Sequence, residues 1–149
     1  MLVTPAVLNF ENVLPSTIAV TGTLTAVEGP SGTGDPLNLN AVQTNQFVTI
    51  TNNFTQNGGL VWMLAGKNWH FDVFLEPMGA GAPIAVTPTD QLASGSIGNY
   101  SISVTIAAGT VIAGIYRVTA RFMLTPAPGS TISPCVSFAD LGIAQWYDF

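Results

Sequence analysis

A chain of 149 residues with 7% charged residues, three basic against eight acidic, has too little positive charge to neutralise nucleic-acid phosphates or grip an anionic membrane surface. Its length suits one domain with a full hydrophobic core, so no disulfide or metal staple is required. The single cysteine, Cys135, has no internal disulfide partner and reads as a buried thiol or an intermolecular bridge.

Residues 1–15 carry no basic n-region, no unbroken apolar stretch and no small-residue cleavage site. They read as an N-terminal arm rather than a secretory leader. From Ser16 to Val27 the pattern has period two, with Ile18, Val20, Leu24 and Ala26 on one face. Thr17, Thr21, Thr23 and Thr25 take the other, as expected for a long strand with a threonine-rich outer surface. A Gly/Pro-rich loop follows from Gly29 to Pro36, and Phe47 to Thr51 then repeats the alternation.

Asn57-Gly58-Gly59 marks a turn, and Leu60 to Leu64 reads as a short strand. Trp69 to Glu76 is the best-marked central strand. Trp69, Phe71, Val73 and Leu75 face inward there, and His70, Asp72, Phe74 and Glu76 face outward. After a loop from Pro77 to Pro83, two half-buried strands are expected, one carrying Ile102, Val104 and Ile106 and one running from Tyr116 to Leu124. Thr131 to Phe138, interrupted by Pro134, and Ile143 to Tyr147 are weaker strand candidates. Residues 125–149 form a C-terminal extension, and its apolar end from Leu141 to Phe149 is read as a last strand or as an arm docking on a neighbour.

The uncharged stretches 36–66 and 91–116 are broken by amides and hydroxyls, so no membrane span is expected. No segment has helical spacing. The expected fold is all-β, an antiparallel sandwich of about seven to nine strands forming a single domain over residues 1–149.

Trp69 in a middle strand and Gly114-Ile115-Tyr116-Arg117-Val118 in a late one resemble the core of immunoglobulin-like and fibronectin-type sandwiches. The resemblance spans Ser16 to Leu124. It implies a core tryptophan on strand C and a tyrosine anchoring a corner near the start of strand F, and it speaks to fold alone. The cysteine pair of antibody domains is absent.

His70, Asp72 and Glu76 share one strand's outer face, and Arg117 and Arg121 share another's. In a sandwich these strands are neighbours, so cross-strand ion pairs worth about 0.2–1 kcal/mol each are expected. The same residues could serve as a recognition patch; a metal site would need further ligands from loops, and neither metal nor cofactor is expected. Trp62, Trp146 and Tyr147 are candidates for an aromatic platform against sugar rings, whereas Trp69 belongs to the core. Asn53-Phe54-Thr55 and Asn99-Tyr100-Ser101 match the glycosylation acceptor pattern.

The chain holds one histidine and no Gly-x-Ser-x-Gly, His-Glu-x-x-His or phosphate-loop motif, so it is not expected to be an enzyme. Edge strands of monomeric sandwiches are commonly guarded by lysine, and this chain has only Lys67. The expectation is a non-enzymatic structural subunit that joins copies of itself or decorates a larger particle, such as a capsid, tail, filament or surface layer. An extracellular surface or virion suits it better than cytoplasm. The alternative is an adhesion or carbohydrate-binding module that takes a glycan on its exposed aromatics.

Overall fold

The computed structural model describes residues 6–11, 18–29, 41–130 and 135–148. Ten strands occur among them: β1 (Ala6–Val7), β2 (Asn9–Glu11), β3 (Ala19–Gly29), β4 (Ala41–Gln43), β5 (Phe47–Asn57), β6 (Asn68–Pro77), β7 (Thr89–Leu92), β8 (Gly98–Ile106), β9 (Gly114–Thr125) and β10 (Cys135–Tyr147). They form two sheets, one ordered β1-β3-β5-β8 and the other β2-β10-β9-β6-β7, with β4 also on β10. The protein is an all-β sandwich. All pairings between these strands are antiparallel except β4 with β10, which is parallel.

Period-two patterning explains how the sheets meet. On β5 the inward row is Val48, Ile50, Asn52, Phe54 and Gln56, while Thr49, Thr51, Asn53 and Thr55 point outward. The inward rows of β6 and β9 supply the other half of the core. Trp69 stacks on Phe122 with ring centroids 4.4 Å apart, and Phe54 meets Trp69 edge-on at 5.5 Å. Such aromatic pairs add about 0.5–1.5 kcal/mol beyond the area they bury. Two buried polar side chains at this centre are paired: Trp69 Nε1 donates to Gln56 Oε1, and Gln56 Nε2 donates to the carbonyls of Ser94 and Ser96.

Two segments differ from expectation. Leu60–Leu64 is not a strand: Val61–Leu64 is a single 3-10 turn, held by Met63 N donating to Leu60 O and Ala65 N to Trp62 O. Val61 and Leu64, three residues apart, fall on one side of such a turn and are buried, which pushes Trp62 and Met63 outward. From Cys135 on, the two weak C-terminal candidates are one continuous strand, β10, paired with β9. A bulge between Asp140 and Gly142 shifts its phase, so the buried residues run Cys135, Ser137, Ala139, Leu141 and then Ala144, Trp146. Gly142 sits at φ 95°, and its N–H is taken by Asp140 Oδ1. Positions 131–134, including Pro134, lie outside the described residues, as do 1–5, 12–17, 30–40 and 149.

Within the expected N-terminal arm, β1 pairs with β3 and β2 with β10, so this short stretch touches both sheets. Leu8, between them, is buried and its N–H donates to Gly22 O. Short strands thus cover part of the edges of β3 and β10. β1 lies on β3, while β2 and β4 lie on β10; beside β8, Thr89 Oγ1 donates to Ser103 O.

Candidate functional site

The charged residues gather on the outer face of the β6/β9/β10 sheet. Register places Asp72 opposite Arg121 and Glu76 opposite Arg117. Arg121 donates from both Nε and Nη2 to Asp72 Oδ2, and its guanidinium lies 5.3 Å from the centre of the Phe74 ring. Arg117, in contrast, turns from Glu76 to bond Asp140 on β10. The Arg117 hydrogen bond, together with the Gly142 N–H, holds the Asp140 carboxyl below the usual carboxylate range. The same pair raises the Arg117 guanidinium above its ordinary value, the hydrogen bond to Asp140 being the first cause.

Toward the β6 N-terminal end this face closes over. His70 and Asp72 are both buried, so they offer no open surface to a ligand. His70 Nε2 lies 2.9 Å from Asp72 Oδ1 and Nδ1 lies 2.8 Å from Asp90 Oδ1, the latter residue being its register partner on β7. Asn68 Nδ2 joins the cluster, donating to Asp90 and to Thr125 Oγ1. Burial alone would raise the Asp90 carboxyl. Hydrogen bonds from His70 and Asn68, the charge on His70 and the Gly129 backbone outweigh it and hold the carboxyl below its ordinary value.

This geometry limits the chemistry. Each ring nitrogen of His70 faces a carboxylate at hydrogen-bond distance, so both nitrogens are engaged within the fold. No group of three His, Cys, Asp or Glu among the described residues could hold a metal ion. The five residues read from sequence therefore meet on one face, but they divide into a buried ion network and an exposed pair.

The three aromatic candidates do not form a platform. Trp146 is 3% exposed and packs edge-on against Tyr116, so it belongs to the core. Tyr147 is half-buried at the end of β10, beside the start of β9. Trp62 is 63% exposed, on the turn preceding β6 at the other end of the sandwich. The two glycosylation patterns lie side by side: Asn53 opposes Ser101, Thr55 opposes Asn99, and with Thr23 they line a shallow polar groove. Cys135 is a buried thiol, pushed up to about 11 by desolvation.

Sequence reasoning missed the exposed apolar side chains at the two ends. At one, Met63, Leu92 and Ile97 accompany Trp62, with exposures of 47% to 72%. At the other, Met78, Ile112 and Ile115 border a cleft of about 270 Å³ between the turn after β6 and the start of β9. Their sequence signal is weak, since both groups lie wholly or partly in Gly- and Ala-rich loops without periodicity.

No protein-family model matches the chain, and neither a curated protein nor a solved structure is similar to it. No helix among the described residues is long and apolar enough to cross a membrane.

Proposed function

We propose that the protein is a non-enzymatic structural subunit that assembles with copies of itself. The observation that carries this reading is the presence of large exposed apolar side chains at both ends of one sandwich, around Trp62 and around Ile112. Soluble monomers scatter such residues singly, whereas clusters mark contact surfaces. Charge distribution supports it. Glu28 is the one charged residue on β1, β3, β5 and β8, so a whole sheet can approach a neighbour with little charge to desolvate.

The finer fold within this proposal is immunoglobulin-like. Its support is the order β10-β9-β6-β7 facing β3-β5-β8, the buried Trp69 on β6, and the Tyr116 hydroxyl donating to Ile112 O just upstream of β9. That last bond is the kind a tyrosine corner would make. Light scattering with electron microscopy of the same purified sample tests the function. Closed oligomers or filaments support an assembly subunit, and a monodisperse single chain contradicts it.

A further inference from the structure

We propose that Asn57 is a site of spontaneous covalent modification, where the Gly58 backbone nitrogen closes on the Asn57 carboxamide and expels ammonia. This goes beyond the assembly reading and holds equally for a single chain.

Loss of an asparagine amide by this route needs the backbone nitrogen of the next residue to reach the side-chain carbon. A side chain on that next residue stands in the way, and a strand ladder keeps the backbone extended. Asn57 is the one asparagine of the chain that is followed by glycine. It is also the last residue of β5, so Gly58 lies beyond the ladder with β3. Gly58 takes φ 111°, a conformation that residues bearing a Cβ rarely adopt.

The turn brings the reacting groups together. The Gly58 N–H donates to Asn57 Oδ1 at 2.8 Å, which sets the nitrogen beside the carboxamide and polarises its carbonyl. Asn57 and Gly59 are exposed, and a Cβ on Gly59 would meet nothing within 4 Å, so water and hydroxide reach the turn. By contrast, Asn52 and Asn68 are buried, and Asn53 and Asn99 lie inside paired strands ahead of Phe54 and Tyr100.

The step balances with water and hydroxide alone. Hydroxide takes the Gly58 amide proton, the nitrogen forms a bond to Asn57 Cγ, and the Cγ–Nδ2 bond breaks. The leaving nitrogen takes a proton from water and departs as ammonia. Water then opens the five-membered imide at either carbonyl. Attack at Cγ breaks the new bond and leaves aspartate. Attack at the main-chain carbonyl breaks its bond to Gly58 N and leaves isoaspartate, with the main chain running through Cγ. Nothing is oxidised or reduced.

Either product sets a carboxylate where the chain had a neutral amide, at the junction of β5 with the Val61–Leu64 turn. Isoaspartate also lengthens the main chain between Gln56, which holds the Ser94 and Ser96 carbonyls, and Gly58, whose carbonyl accepts the Val61 N–H.

The test follows the folded full-length chain by intact mass and peptide mapping during incubation at mildly alkaline and mildly acidic pH. Position 57 should lose its amide at the alkaline pH, giving two products of equal mass that separate on chromatography, and should lose it far more slowly at the acidic one. Ammonia release should match that loss. Asn57→Gln, whose longer side chain would have to close a six-membered ring, should abolish both signals. The guanidinium-unfolded chain is the reference for the bare Asn-Gly pair. A folded chain that keeps its amide while the unfolded chain converts, or one that loses amides chiefly at other positions, overturns the proposal.

Discussion

The indole N–H of Trp69 donates to Gln56 Oε1 at 2.9 Å, and the Gln56 amide passes the link outward to the Ser94 and Ser96 carbonyls. One buried side chain thus ties the core to the 92–97 segment. Gln56→Leu should destabilise the protein by about 1–3 kcal/mol, because the indole and two carbonyls lose their partner. Urea unfolding measures the loss, and amide exchange in residues 92–97 should quicken more than in β9.

Asn52 makes the opposite case. It is fully buried on β5, neither its Oδ1 nor its Nδ2 has a hydrogen-bond partner, and it occupies space left by Gly22, where a Cβ would lie 2.5 Å from Oδ1. Asn52→Leu should hold or raise stability, by up to about 2 kcal/mol, since it removes an unsatisfied amide at similar volume. Gly22→Ala should lower it. Thermal unfolding of the two variants gives shifts of opposite sign, or no shift for the first and a loss for the second.

Acid should weaken the fold through Asp90 and Asp140. Both carboxyls are held below 3.8 in the folded chain, so their contribution is present above that value and disappears as pH falls through the lower folded values. His70→Leu removes the ring shared by Asp72 and Asp90, which keep Arg121 and Asn68, and should cost about 1–3 kcal/mol at neutral pH. Its stability should also fall less steeply across the acid limb, which denaturant titrations at several pH values will read.

Cys135 should resist thiol reagents in the folded chain near pH 8, because burial keeps it protonated. Labelling should follow global unfolding. The folded thiol value of about 11 exceeds the ordinary 9.0, so the stability of the buried neutral thiol is fully present below 9.0 and is lost as pH rises through about 11.

Legibility in the sequence followed periodicity. β3, β6 and β9 carry a two-residue alternation over most of their length, and their inward rows and the placing of Asp72 opposite Arg121 could be read directly. β10 could not be read as one strand, because the bulge at Asp140 and Gly142 moves its buried set from odd to even positions. Trp146 was mistaken for surface for the same reason. His70 read as exposed because alternation ignores what folds over a sheet, and Asp90 on β7 and the Gly129 backbone come from distant segments. The exposed apolar groups at the two ends lie partly in loops, where only the assembled backbone brings Trp62 beside Gly95 and Met78 beside Ile115.

The most direct test of self-assembly is the light-scattering mass of the unmodified chain over a wide concentration range. Assembly predicts a mass that climbs above the single-chain 15.5 kDa as concentration rises. A mass fixed at 15.5 kDa throughout would contradict it.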